Sequence, residues 1–142
     1  MTRTEIRELT FELLYSLEIQ KIERNEYEEQ INMFLEEQGI TQEKAKTYII
    51  ETVNGILEND EEIAKLITSK LKPKWTIDRV SKINIAILKL ATYEIVYVKL
   101  PYKVVVNEVV ELAKKYGDSN SSTFINGILA NIIKEIGIIN EE

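Results

Sequence analysis

Apolar residues recur every three or four positions along almost the whole chain, which is the periodicity of amphipathic α-helices. Two prolines and five glycines in 142 residues leave little room for short strands joined by tight turns. Because the stretch 77–98 is apolar almost all round, we expect it to be the central helix of a single compact all-α domain over residues 1–142. About seven helices are predicted, near residues 3–20, 25–37, 42–58, 60–71, 77–98, 102–116 and 123–136. Four residues of the central helix are expected to be buried: Ile83, Ile87, Leu90 and Ala91.

Polar residues at two predicted helix starts support these bounds. Thr2 with Glu5, and Asn59 with Glu62, have the spacing of a capping box. In that motif the side chain at each position bonds the backbone N–H group at the other. The two pairs therefore predict helices that begin just after residue 2 and just after residue 59.

The segment from residue 100 to residue 129 is the most distinctive part of the chain. It reads as a helix opened by Pro101, a left-handed Gly117 at its end, a polar loop, and a second helix that begins near Phe124. Residues 117–123 carry no apolar side chain. The loop leads into a helix N-terminus, where unpaired N–H groups favour an anion such as phosphate.

The composition argues against an enzyme. The sequence has no cysteine and no histidine, which removes cysteine nucleophiles, thiolate metal sites and the commonest general base. No cofactor or metal site is expected. The N-terminus does not resemble a signal peptide, and the most apolar run is interrupted by Asn84, Lys89 and Glu94. We therefore expect a soluble, cytoplasmic protein without a membrane segment.

The charge is unevenly distributed along the sequence. The net charge is −6, but residues 65–103 hold nine Lys or Arg and only two acidic residues, Asp78 and Glu94. Such segregation can produce a basic surface on an acidic protein, and local potential matters more than net charge for binding nucleic acid. The alternative is that these lysines only solvate exposed helix faces.

Helical-wheel positions separate a few polar and aromatic residues from the apolar stripes. Phe124 lies to one side of the stripe of its helix, where it could stack on a base or fold under the preceding loop. Lys103, Asn107 and Lys114 share one strip of the preceding helix, which is either a phosphate track or a solvated face.

The first predicted helix carries a second group of candidates. Its main stripe consists of four apolar residues: Ile6, Leu9, Leu13 and Leu17. Arg3 and Arg7 lie one turn apart on another side, and Phe11 and Tyr15 continue that flank. These four residues could contact RNA or a partner protein, or they could pack beneath a neighbouring helix.

The chain resembles the NusB family of bacterial transcription antitermination factors over essentially its whole length. Four segments carry the resemblance: residues 7–18 (RELTFELLYSLE), Trp75 with Arg79, residues 87–94 (ILKLATYE) and residues 101–129. The last is the most specific, because Pro-Tyr-Lys-Val, Asn-Glu, Glu-Leu-Ala-Lys, Tyr-Gly and Phe-Ile-Asn-Gly all have the family's spacing.

The resemblance implies a fold of two small helical subdomains, with three helices and then four. It also implies a protein without enzymatic activity that binds single-stranded boxA RNA as a heterodimer with NusE, a ribosomal protein of the small subunit. The further partners that it implies are NusA, NusG and RNA polymerase. By the same resemblance, the RNA surface includes Arg3, Arg7, Asn120 and Phe124. The wheel positions add Lys103 and Lys114 to this set.

The N-terminal segment departs from the family pattern. Many relatives have a denser arginine run there, whereas Thr4 and Glu5 interrupt it in this chain. Because each lost phosphate contact lowers affinity, we expect weaker RNA binding by the protein alone and a greater reliance on its partner. We expect the NusE surface to include Tyr15 and a basic region that core packing only partly explains. That region carries Trp75, Arg79 and Asn84.

Two alternatives come from other functional classes. The same fold occurs as the RNA-binding N-terminal domain of certain ribosomal-RNA cytosine methyltransferases. Those proteins need a following catalytic domain with cysteines, which this sequence does not contain up to Glu142. The other alternative is a helical adaptor that binds only proteins, which RNA-binding measurements would distinguish.

Overall fold

The chain forms an all-helical bundle, seen here in a computed structural model that describes residues 1–73 and 75–137. Within those residues there are seven α-helices and no strand, as predicted. The helices are α1 (Arg3–Gln20), α2 (Tyr27–Glu37), α3 (Glu43–Glu58), α4 (Asp60–Thr68), α5 (Lys82–Tyr93), α6 (Tyr102–Tyr116) and α7 (Ser121–Ile136).

Helix α5 is the centre of the fold. It packs against α1, α3, α4, α6 and α7, and its residues are buried without interruption from Asn84 to Thr92. Ile87, Leu90 and Ala91 are fully buried, as predicted, whereas Ile83 is only half-buried because it lies in the first turn, at the edge of the bundle. The continuous apolar pattern therefore identified the central helix correctly.

The helices form two groups, three and then four, in agreement with the prediction. Helix α1 packs on α2 and α3, while α5, α6 and α7 pack on one another. Helix α1 also lies along α5, so that the two groups share one continuous hydrophobic core. Lys89 on α5 adds a polar link, because its ammonium group lies 2.5 Å from Glu18 on α1 and 2.8 Å from Asp60 on α4.

The central helix begins later than predicted. Residues Ile77–Arg79 form a short 3₁₀ turn, and α5 begins only at Lys82. The boundary is set by Ser81, whose side chain accepts a hydrogen bond from the backbone N–H of Asn84 at 3.2 Å. At its other end, the helix continues as a π-helical turn over Glu94–Val98.

Only one of the two predicted capping boxes is present. Thr2 and Glu5 bond reciprocally at the start of α1, with distances of 2.8 and 3.1 Å. The prediction for Asn59 is wrong, because its side-chain amide donates backwards to the carbonyl oxygen of Gly55 at 2.8 Å and does not cap α4.

The α6–α7 loop differs from the prediction in two ways. Gly117 is extended (φ −89°, ψ −170°) rather than left-handed, and α7 begins at Ser121, ahead of Phe124. The Ser121 side chain accepts from the N–H of Asp118 at 3.0 Å and folds back over the glycine. A Cβ on Gly117 would lie 2.4 Å from Ser121 Oγ, so close approach, not a positive φ, explains glycine at this position.

Candidate nucleic-acid interface

Arg7 is buried, so of the two arrangements left open for its flank of α1 the structure has the one in which Arg7 packs beneath neighbouring helices, and not the one in which it contacts RNA. Its side chain is only 2% exposed. Its guanidinium forms two hydrogen bonds to Glu94, at 2.7 and 3.2 Å, and a third to Glu108 at 3.0 Å. Tyr48 donates to the same Glu94 carboxylate. Arg7 therefore joins α1 to the π-turn and to α6, and it is not available to a phosphate group in this arrangement.

Burial on two sides of α1 explains this difference. The helix packs on both α3 and α5, so the flank that carries Phe11 is as deeply buried as the stripe that carries Leu13. Burial alone would lower the pKa of Arg7, but the hydrogen bonds and charge of Glu94 outweigh it, and the net effect raises the pKa. Arg7 therefore stays charged inside the protein.

Arg3 remains exposed at the N-terminus of α1. Its guanidinium carbon lies 5.7 Å from the ring centroid of Tyr48, within the range of a cation–π contact. The two residues that interrupt the arginine run both have structural contacts. Thr4 donates to Glu108 at 2.5 Å, and Glu5 completes the capping box.

The exposed face of α6 carries both charges. Lys103 and Lys114 are exposed, as the wheel positions indicated, and Lys114 lies 3.4 Å from Glu111. Lys115, which the sequence analysis did not single out, lies 2.6 Å from Glu8 on α1. The two carboxylates neutralise part of the lysine charge along this face.

Tyr15 belongs to an aromatic cluster between α1 and α6. Its ring stacks on Phe11 with centroids 6.1 Å apart, and Phe11 lies 4.9 Å from the ring of Tyr116. The Tyr116 hydroxyl donates to Glu8 and Glu12. Tyr15 is half-buried and does not line the groove described next.

A groove runs between the segment that leads into α5 and the start of α7. Its volume is about 570 Å³, and we call it the Trp75 groove. One wall carries Lys72, Trp75, Arg79 and Asn84, and the other carries Asn120, Phe124 and Gly127. The groove therefore brings together residues that the sequence analysis assigned to two different surfaces, one for RNA and one for NusE.

Phe124 forms the boundary between this groove and the core. Its ring is half-buried and packs against the hydrophobic core, and it also lines the groove. The two interpretations left open by the sequence are thus not exclusive. Asn120 is exposed beside it, at the end of a turn in which its N–H donates to the Asp118 carboxylate at 2.8 Å.

The charges around the groove are unequally compensated. Lys70 is paired with Glu135 at 2.5 Å. Lys72 and Arg79 are exposed, and neither forms an ion pair within residues 1–73 and 75–137. The Asp118 carboxylate lies on the opposite wall, where it accepts from the α6–α7 loop. The mouth of the groove thus offers two uncompensated cations to an anionic ligand.

The described part of the chain contains neither a membrane-spanning helix nor a metal-binding cluster. No described helix is long and apolar enough to cross a membrane. No group of three or more acidic side chains in the described ranges is placed to hold a metal ion.

Comparisons with known proteins agree on one family. The model of the NusB family matches residues 4–134. The transcription antitermination protein NusB of Acetivibrio thermocellus is 44% identical over 135 residues, covering 94% of this chain and 90% of that protein. The NusB protein of Clostridium novyi is 43% identical, covering 94% of this chain and 99% of that protein.

Solved structures give the same result. A structure of T. maritima NusB has a TM-score of 0.85 and 36% identity, covering 95% of this chain and 92% of that one. A structure of the antitermination factors NusB and NusE in complex with dsRNA has a TM-score of 0.83 and 28% identity, covering 95% and 99%. The prediction that the protein is not an enzyme is confirmed, since the relatives are transcription antitermination proteins. The chain belongs to the NusB family of transcription antitermination factors.

Proposed function

We propose that the protein binds the single-stranded boxA element of nascent ribosomal-operon RNA as a heterodimer with NusE. In this proposal the pair, with NusA and NusG, modifies elongating RNA polymerase so that it resists termination. Family membership and the similarity to a NusB–NusE complex with dsRNA support it. The function is one of binding, with no reaction catalysed by this chain.

The Trp75 groove is the observation that carries the proposal. Single-stranded nucleic acid is bound by combining cations that contact phosphates with aromatic rings that stack on bases. The groove has both, because its lining includes the cations Lys72 and Arg79 as well as the aromatic rings of Trp75 and Phe124. Residues outside the groove, namely Arg3, Lys103 and Lys114, would extend the contact with the RNA backbone.

The NusE surface remains a prediction and includes Tyr15 and Asn84. Tyr15 lies in the aromatic cluster between α1 and α6, and Asn84 lies at the start of α5.

A gel-shift titration tests the proposal. The purified full-length chain is titrated with a boxA-like single-stranded RNA, with and without NusE, and a scrambled RNA of the same composition is the control. We expect weak binding by the chain alone and tighter, sequence-dependent binding with NusE. Equal affinity for the two RNAs in the presence of NusE would contradict boxA recognition. Binding of NusE without any binding of RNA would favour the protein-only adaptor.

A further inference from the structure

We infer that the Trp75 groove holds one unstacked base of the RNA and that the Trp75 ring is its stacking platform. This inference rests on the proposed function and makes it more specific. It also moves Trp75, Arg79 and Asn84 from the NusE surface, where they were expected from the sequence, to the RNA surface.

The exposure of Trp75 is the first observation. Its side chain is 51% exposed on the wall of the groove. No aromatic ring in the described part of the chain stacks on it, although three other aromatic pairs are formed elsewhere. About half of the indole surface is therefore available to a ligand, and covering it would contribute a large apolar area to binding.

The opposite wall is shaped for close approach. Gly127 lies inside α7, where glycine costs about 1 kcal/mol relative to alanine. A Cβ at this position would meet nothing within 4 Å in the described chain, so internal packing does not require a glycine here. The missing side chain leaves the backbone of α7 beside Phe124 open to close approach by a base.

The charge and the floor of the groove favour RNA over a protein segment. Lys72 and Arg79 flank Trp75 and have no acidic partner among the described residues, as phosphates on either side of a bound base require. Asn84 is 8% exposed, lines the groove and has a buried Oδ1 that accepts no hydrogen bond. Base edges carry N–H donors, and an amide oxygen in the lining of the groove is a matching acceptor. The volume of about 570 Å³ is within the usual range for sites that hold one small organic molecule.

The sole tryptophan of the chain makes the inference directly measurable. Intrinsic fluorescence of the full-length protein is recorded while a boxA-like single-stranded RNA is added, and the anisotropy of a label on the same RNA reports total binding. We expect the emission of Trp75 to be quenched with the same midpoint as the anisotropy change. Trp75→Ala is expected to lower RNA affinity by about 5- to 150-fold, the equivalent of one stacked base.

Matched variants separate stacking from general effects. Trp75→Phe keeps an aromatic face and should lose less affinity than Trp75→Ala. Ile19→Ala is the control, because Ile19 is an equally exposed apolar residue (51%) that does not line the groove. Arg79→Gln should reduce the salt dependence of RNA binding by about one phosphate contact.

The possible failures are distinguishable. If the anisotropy reports RNA binding but the Trp75 emission and the affinity of Trp75→Ala are unchanged, the inference is wrong while the proposed function stands. If NusE alone changes the emission, and Trp75→Ala weakens NusE binding but not RNA binding, the groove is a protein surface. If no RNA binds even with NusE, both proposals are overturned.

Discussion

Replacing Arg7 should lower the free energy of unfolding of the protein, and not only its affinity for RNA. Its guanidinium, 2% exposed, forms hydrogen bonds to Glu94 and Glu108, and the Glu94 side chain is itself only 1% exposed. Arg7→Met keeps most of the aliphatic volume but removes the positive charge. The carboxylate of Glu94 is then left buried, with Tyr48 as its remaining partner.

The expected loss of stability follows from the unpaired charge of the Glu94 carboxylate. Removing one partner of a buried ion pair typically costs about 3–5 kcal/mol. That is a large part of the roughly 5–15 kcal/mol by which a domain is stable. For a chain of this length, it corresponds to a decrease in melting temperature of roughly 10 °C or more. Arg7→Glu should lower the stability further than Arg7→Met does, because it would place a third carboxylate beside Glu94 and Glu108.

Thermal and urea unfolding, followed by circular dichroism, measure this effect. Arg3→Met is the matched control, since Arg3 is an exposed arginine one turn earlier on the same helix. We expect its stability to change by less than about 0.5 kcal/mol. The double variant Arg7→Met/Glu94→Gln should lose less than the sum of the two single losses, because no unpaired buried charge remains. If Arg7→Met melts within a few degrees of the wild type and loses only RNA affinity, the burial argument is wrong.

Three further predictions concern the core, the groove and the pH dependence. Leu90→Ala, at a fully buried position of α5, should cost about 2–5 kcal/mol in urea unfolding. Phe124→Leu should keep most of the stability, because the side chain stays apolar. If the Phe124 ring stacks on a base, the same variant should lose about 1–3 kcal/mol of RNA-binding free energy. An unchanged affinity would restrict Phe124 to a packing role. Burial and the neighbouring Glu94 carboxylate raise the pKa of Tyr48 above its ordinary value of 10.0. Its contribution to stability is therefore complete below about pH 10 and is lost as the pH rises through the folded-state pKa. The urea concentration at the midpoint of unfolding should fall less steeply with rising alkaline pH for Tyr48→Phe than for the wild type. Identical slopes of midpoint against pH would exclude a contribution of Tyr48 titration to stability.

The helices were predictable because their signals are local. The 3.6-residue periodicity identified all seven, and the continuous apolar run singled out α5 as the central one. Boundaries were less certain where one side chain decides between two local hydrogen bonds. Ser81 delays the start of α5 by capping it, and Asn59 bonds backwards to α3 when it could have capped α4.

The candidate site was harder to predict because it depends on which faces meet. A helical wheel shows that Arg7 lies off the main stripe of α1, but it does not show that α6 and the π-turn supply carboxylates on that side. A charge at a position flanked by Phe11 on the same face was the available signal for a buried ion pair. Similarly, Trp75 and Phe124 are almost fifty positions apart, and only the packing of α7 beside the start of α5 brings them to one groove.

The same packing changes what the sequence charge means for binding. Residues 65–103 are strongly basic in sequence, yet several of these cations are neutralised inside the fold. Lys89 is buried between Glu18 and Asp60, and Lys70 is paired with Glu135. An internal or paired lysine contributes little to the potential that an approaching phosphate experiences. Three exposed cations of this segment, Lys72, Arg79 and Lys99, have no ion pair among the described residues, and two of them, Lys72 and Arg79, line the groove beside the exposed tryptophan. Two of the three unpaired, exposed cations of this segment therefore lie at the groove, where an aromatic surface is available as well. This coincidence makes the groove a better candidate for RNA than the arginine-poor N-terminus.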